Sequence, residues 1–257
     1  MNKIFTYFIL SVLIFGCKSY KSEVNSKNSV VSVVAENTAE MATKKQDEWW
    51  LKRHELIISK LNPNSKLILV GNSIFHSLDN KDRTEVWQNY LDAYNTINMG
   101  ISGDRTENVI WRLENGSIEN INPSVALVLI GTNNTDGNHY LNISTPEELA
   151  AGIDRICSIL LNKLPNTEIL LMGILPYGNK PNHRNNINIA TNKIISKFPE
   201  NNRRIHYVDI GHVYYNDGGT VRSDLMPDYL HPNTEGHMLM FKVLNDRIKE
   251  LSASVKK

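Results

Sequence analysis

Five short apolar runs recur along this chain, each separated from the next by a stretch with helical spacing. That alternation restricts the fold more than any other feature. The runs are Lys66–Val70, Asn95–Met99, Val125–Ile130, Glu168–Ile174 and Ile205–Val208. Helical patterns fall at Gln46–Leu61, Thr84–Leu91, Thr106–Leu113, Pro146–Leu164, Asn185–Phe198 and Thr234–Leu251. Strands that alternate with helices at this spacing, rich in Ile, Leu and Val on both faces, predict a parallel sheet joined by right-handed crossovers and covered on both sides. The expected class is α/β, a three-layer α/β/α sandwich with a five-stranded parallel sheet. In such sheets ligands bind beyond the carboxyl ends of the strands.

With 257 residues, 41% of them hydrophobic, the chain can bury one sizeable core and is short for several. Its 28 basic and 27 acidic residues are scattered, so no basic field favours nucleic acid. No internal repeat or low-complexity tract interrupts the pattern.

The N-terminus reads differently. Lys3 precedes the apolar stretch Ile4–Phe15, which is shorter than the ~20 residues a membrane-spanning helix needs. Its end, Ile14-Phe15-Gly16-Cys17, resembles a bacterial lipobox, although Phe15 is bulkier than the usual occupant. Residues 1–17 are therefore expected to be a lipoprotein signal peptide with Cys17 as the lipid attachment point, against an ordinary cleaved signal or a buried thiol. That places the protein at the bacterial cell envelope, lipid-anchored on the periplasmic or outer-surface side. Residues 18–45, rich in Ser, Lys, Asn and Glu, are expected to be a flexible tether, with the folded domain at 46–257. The other cysteine, Cys157, lies beside Ile153, Ile156 and Leu160 at helical spacing and reads as core.

Three strands end in polar or glycine-rich clusters: Gly71-Asn72-Ser73, Gly100-Ile101-Ser102-Gly103-Asp104 and Gly131-Thr132-Asn133-Asn134. Glycines at strand ends alone mean little, because turns need them anyway. Ser73, however, directly follows a buried strand, where a tight turn would present a hydroxyl. Near the other end, Asp228-Tyr229-Leu230-His231 enters the last helical pattern. A serine hydroxyl needs a base, an imidazole is suited to that near neutrality, and a carboxylate can fix the imidazole's tautomer. Taken alone, Asp-x-x-His could equally be a helix cap beside a surface histidine.

In combination these residues resemble the SGNH or GDSL-type hydrolases, whose four blocks carry a serine, a glycine, an asparagine and a histidine. Ser73, Gly103, Asn133 and His231 fall on those positions in order, with Asp228 three before the histidine. The similarity is greatest to the catalytic subunits of brain-type platelet-activating-factor acetylhydrolases and their bacterial relatives. It runs through Gly103-Asp104-Arg105-Thr106, Trp111-Arg112-Leu113-Glu114-Asn115-Gly116, Gly131-Thr132-Asn133-Asn134 and Gly173-Ile174-Leu175-Pro176, so it spans Trp49 to the C-terminus.

The resemblance implies a flavodoxin-like sheet and the catalytic residues Ser73, Asp228 and His231. It also implies an oxyanion hole made by the N–H groups of Ser73 and Gly103 and the amide of Asn133. Asn72 departs from the pattern, which usually has Asp there. Asparagine keeps the size and hydrogen bonding but not the charge, so the turn should survive while the level of activity is left open. Asn134 reads as a turn residue, Trp111 and Leu113 as core, and Arg105 and Arg112 as reaching either the core, the site or an inter-subunit surface.

The implied function is a metal-independent serine esterase that needs no cofactor and cleaves short-chain esters, acetyl in particular, with acetylated carbohydrate as preferred substrate class. Export with a lipid anchor and a Lys-, Asn- and Ile-rich composition fit a bacterium that processes external material. Two rivals stand beside it: a phospholipid-type acylhydrolase, and a catalytically weak binding module that kept the fold. The expected partners are a small-molecule or polysaccharide ester and a membrane reached through the N-terminal lipid. The sequence is also compatible with a homodimer. His54, His76, His139, His183, His206, His212 and His237 show no metal-binding spacing and read as surface or core.

Overall fold

The computed structural model describes residues 36–254, so the expected signal segment, Cys17 and residues 18–35 of the expected tether lie outside the described residues. The strands are β1 (Leu67–Gly71), β2 (Ile97–Asn98), β3 (Val125–Leu129), β4 (Glu168–Met172) and β5 (Ile205–Val208). They form one parallel sheet in the order β2-β1-β3-β4-β5. The helices are α1 (Glu48–Ser59), α2 (Ser73–His76), α3 (Thr84–Val86), α4 (Thr106–Glu114), α5 (Pro146–Lys163), α6 (His183–Ile195), α7 (Phe198–Asn201) and α8 (Thr234–Ser254).

Alternation along each strand divides the core in two. Ile68, Val70, Ala126, Val128, Ile169 and Leu171 point to one side and pack with Trp50 and Ile57 of α1, Val109 and Leu113 of α4, and Ile153, Ile156 and Leu160 of α5. Leu67, Leu69, Leu127, Leu129, Leu170 and Met172 point to the other and pack with Phe75 of α2, Val86 of α3, and Met240, Phe241 and Leu244 of α8. Both faces of the sheet are thus covered, which is why β1 and β3 are apolar at every position rather than at every second one. Cys157 sits in the first cluster, fully buried, and burial raises its thiol pKa.

The largest expected helix, α5, starts where its sequence says it should. Thr145 accepts from the Glu148 N–H (3.2 Å), and the Glu148 carboxylate accepts from the Thr145 N–H (2.8 Å). Pro146 follows at the first helical position.

Several boundaries differ from expectation. β2 is only Ile97–Asn98, paired with β1 alone, and beyond it the Asn98 side chain accepts from the Gly100 N–H (2.9 Å) in the following loop. β4 stops at Met172 because Asn192 captures both the N–H and the carbonyl of Ile174. The helix expected at Thr84–Leu91 is one turn of α3 that widens into a π-helical turn over Trp87–Leu91.

The expected tether needs a larger correction. Residues 36–45 are docked on the domain: Ala39 is fully buried, and its carbonyl accepts from Thr106 Oγ1 (2.8 Å). The Thr43 N–H donates to the Glu107 carbonyl (3.0 Å), and Asn108 Nδ2 donates to the Thr43 carbonyl (3.0 Å). This strap is held through its backbone, so it carries no apolar period for sequence reading to find. Among the described residues no helix is long and apolar enough to cross a membrane.

Candidate active site

The order β2-β1-β3-β4-β5 reverses the direction in which strands are added between β1 and β3, and ligand sites form at the carboxyl ends there. Ser73 follows β1 by one residue and opens α2. Asn72 caps that helix, its Oδ1 accepting from the Ile74 N–H (3.1 Å), so the turn survives the exchange of Asp for Asn. The Asn72 Nδ2 group has no hydrogen-bond partner among the described residues.

From 158 residues further on, His231 brings Nε2 to 2.8 Å from Ser73 Oγ. Its Nδ1 lies 2.6 Å from Asp228 Oδ2. An ionised carboxylate can only accept, so Nδ1 carries the proton and Nε2 is left to accept from the serine hydroxyl. The Asp228 Oδ1 atom is occupied too, by the N–H groups of Leu230 (3.0 Å) and His231 (2.7 Å). Partial burial raises the Asp228 pKa, but the ring and backbone donors outweigh it and the net shift is downward, so the group stays a carboxylate. Tyr229, between the two, adopts φ 59°, an uncommon left-handed conformation for a tyrosine, and its carbonyl is pinned by the Gly178 N–H (2.9 Å).

The second loop, after β2, folds against α2. A Cβ on Gly100 would lie 2.3 Å from the His76 nitrogen and 2.8 Å from the Asn72 carbonyl, so only glycine permits this approach. His76 Nδ1 accepts from the Ser102 N–H (3.1 Å), and burial lowers the ring's pKa, helped by the Arg53 charge. The third loop places Asn133 with Nδ2 donating to the Asp104 carbonyl (2.9 Å), which fixes the amide's orientation and leaves its second hydrogen uncommitted to that bond. The backbone N–H groups of Ser73 and Gly103 make no hydrogen bond among the described residues.

Beneath these loops lies a buried polar cluster that the sequence reading did not isolate. Arg112, fully buried, donates from Nε to Asp104 Oδ2 (2.8 Å) and from Nη2 to the Gly71 carbonyl at the end of β1 (3.2 Å). The other Asp104 oxygen accepts from Trp50 Nε1 (2.6 Å). Of the two arginines singled out, Arg112 thus supports the site from below. Arg105 pairs with Glu107 (2.7 Å), donates to the Asn142 carbonyl and lies over Tyr140. Leu113 is core, and Trp111 is partly buried against the same cluster. His237 is also structural: its Nε2 lies 2.9 Å from the Ile74 carbonyl, and burial pushes its pKa down to about 4.

Asn134 does more than shape a turn. It is fully buried, accepts from the Thr106 N–H (3.0 Å), and donates to Thr106 Oγ1 (2.9 Å) and Glu107 Oε2 (3.1 Å). Asn134→Ala would leave the Thr106 N–H without an acceptor, while Thr106 Oγ1 keeps the Ala39 carbonyl and Glu107 keeps Arg105, and is expected to destabilise the fold by roughly 1–3 kcal/mol. Urea denaturation measures this, and an unchanged midpoint would show that the cluster relaxes without it.

A parallel α/β sheet with serine, imidazole and carboxylate in hydrogen-bonded series at its switch point defines an α/β serine hydrolase. Comparison with known proteins narrows the class. Residues 69–239 match the GDSL-like Lipase/Acylhydrolase family, and the chain belongs to that family; it is a carboxylic ester hydrolase. Its sequence is 29% identical over 205 residues to the rat platelet-activating factor acetylhydrolase IB subunit alpha2, covering 80% of this chain and 85% of that protein. It is 27% identical over 223 residues to the human alpha1 subunit, covering 85% and 92%. Among solved structures, a GDSL-like lipase from Bacteroides thetaiotaomicron aligns with a TM-score of 0.61 at 19% identity, covering 77% of this chain and 97% of that one. An acetylxylan esterase from Geobacillus stearothermophilus aligns with a TM-score of 0.57 at 18% identity, covering 74% and 96%. At these identities the structural likeness shows the fold alone.

Proposed function

We propose that this chain hydrolyses short-chain esters, acetyl esters of carbohydrate in particular, with Ser73 as nucleophile, His231 as general base and acid, and Asp228 as the group that orients His231. The observation that carries the reading is the continuous series from Ser73 Oγ through the His231 ring to Asp228. Ser73 Oγ attacks the ester carbonyl as its proton passes to His231 Nε2, and the carbonyl oxygen becomes an anion. The N–H groups of Ser73 and Gly103 and Asn133 Nδ2 meet that charge. Collapse of the tetrahedral centre breaks the bond to the alcohol oxygen, which takes the proton from Nε2 and leaves. Water, deprotonated by the same Nε2, then cleaves the acyl-enzyme and frees the carboxylic acid and Ser73.

The acetyl preference draws support from what the relatives' names share, acetylhydrolase and acetylxylan esterase. For carbohydrate, the support is a groove of about 440 Å³ whose lining includes Gly178, the residue whose N–H holds the Tyr229 carbonyl in the Asp228–His231 turn. Its lining mixes the polar groups of Lys180, Asn185, Asn186, Tyr215 and Thr220 with the apolar Pro181 and Ile189, so both the hydroxyls and the ring faces of a sugar find partners there. The similarity to platelet-activating factor acetylhydrolase subunits favours a second reading, hydrolysis of a phospholipid-type acetyl or acyl ester. Activity across nitrophenyl esters of increasing chain length, followed by acetylated xylan and lysophospholipid, separates them. Preference for acetate and release of acetate from the polysaccharide support the first reading, and preference for eight carbons or more overturns it.

Anchoring through a lipid on Cys17 at the bacterial envelope is proposed from the sequence of residues 1–17. Cys17→Ser is expected to move the protein from the membrane to the soluble fraction or to block its processing; unchanged fractionation and processing would require another anchor.

A further inference from the structure

The loop that carries Gly103 turns over Ile101–Asp104, closed by the Asp104 N–H to the Ile101 carbonyl (3.2 Å). Gly103, third in that turn, has φ +74°, the sign that a type II turn requires at that position. A type I turn joins the same ends but rotates the central peptide, here Ser102–Gly103, so that the Gly103 N–H points the other way. Glycine accepts either arrangement. The direction of this N–H is therefore set by whatever holds the two ends of the dipeptide.

At the front end, His76 Nδ1 holds the Ser102 N–H. At the rear end the Gly103 carbonyl accepts two strong bonds, from Lys45 Nζ (2.7 Å) and from Tyr140 OH (2.7 Å). Neither group is a loose surface side chain. Lys45 is 19% exposed, and its ammonium also lies 4.0 Å from Asp104 Oδ1. The Tyr140 ring lies 5.0 Å from the Arg105 guanidinium carbon. The two close over the glycine: a Cβ there would be 3.2 Å from Lys45 Nζ and 3.4 Å from Tyr140 OH. They arrive from separate elements, Lys45 on the docked strap ahead of the family-matched region and Tyr140 on the loop after Asn133.

We propose that Lys45 and Tyr140 clamp the Gly103 carbonyl so that the Gly103 N–H stays aimed at the oxyanion, which makes both of them positioning residues for ester hydrolysis. This rests on the reading of Gly103 N–H as an oxyanion donor. The strap that sequence reading takes for a tether thereby becomes a working part of the enzyme. Because the oxyanion forms only in the transition state, losing the clamp should lower kcat and leave KM nearly unchanged.

The test uses the full chain with a nitrophenyl acetate substrate and a boronic acid that forms a tetrahedral adduct with an active-site serine. Lys45→Met and Tyr140→Phe are each expected to lower kcat about tenfold, with KM within about twofold and boronate affinity reduced in parallel. Lys45→Arg should restore part of the loss. Lys44→Met is the control, since the Lys44 ammonium lies over Trp111 (5.3 Å) rather than on Gly103, and should leave kcat unchanged. Asn133→Ala is expected to lower kcat about 10²–10³-fold. If Asn133→Ala does so while Lys45→Met and Tyr140→Phe leave kcat intact, raise KM alone, or lose activity only in proportion to melting temperature, the clamp is wrong and the oxyanion reading stands. If Asn133→Ala also leaves kcat intact, the oxyanion reading fails and takes the clamp with it.

Discussion

Ser73→Ala is expected to lower kcat by roughly 10⁴- to 10⁶-fold and to leave the fold intact, as loss of the nucleophile does in comparable triads. The hydroxyl is the only group that can form the acyl-enzyme at the end of the His231 relay, so no neighbour replaces it. Residual turnover would come from the oxyanion donors and from substrate binding, which need no nucleophile. Stability should not suffer. Ser73 is the first residue of α2, where alanine is a good helix former, and the cap that starts that helix is Asn72. Near-wild-type turnover in Ser73→Ala would remove Ser73 from the mechanism, and a large fall in melting temperature would show that it also holds the turn.

The largest effect on stability is expected at Arg112. Its guanidinium and the Asp104 carboxylate are both fully buried, 2.8 Å apart, with Arg112 also bound to the Gly71 carbonyl and Asp104 to Trp50. Burial raises the Asp104 pKa and lowers that of Arg112, and each partner's charge opposes the shift in the other. Arg112→Met removes one charge and strands the other, which destabilises by about 3–5 kcal/mol when a buried pair is broken this way. The sign of the pH dependence follows. A carboxyl whose folded pKa is raised binds a proton more tightly folded than unfolded, so the deficit of the variant should shrink as pH falls through the raised Asp104 value. Adding Asp104→Asn to Arg112→Met should restore part of the loss, because both charges are then gone. Denaturant midpoints at unchanged slope measure all of this, and a deficit below about 1 kcal/mol in Arg112→Met would mean that the stranded carboxylate is relieved in some other way.

How much of this was legible in the sequence depends on whether a residue acts through local pattern or distant contact. The strands β1 and β3 announce themselves because a doubly covered sheet needs apolar residues at every position, as Leu67–Val70 and Val125–Leu129 supply. The edge strand β2 has no such requirement, and only Ile97 and Asn98 pair. The residues around Ser73 and His231 are readable because each lies in a short motif with a local geometric task. Arg112, Asn134 and Lys45 are harder, since their partners come from other segments. Nothing near Asn134 in sequence indicates that Thr106 and Glu107 lie against it. Lys45 was hidden most completely, because the strap that delivers it is held by backbone bonds and one buried alanine rather than by a periodic apolar face.

The measurement that tests the central claim most directly is covalent labelling with a fluorophosphonate, followed by mass spectrometry of the modified peptide. Only an activated serine reacts. The account predicts one adduct, on Ser73, absent from Ser73→Ala and strongly slowed in His231→Ala, with acetyl ester substrate protecting against it. Labelling at a different serine, or equal labelling with and without His231, would contradict it.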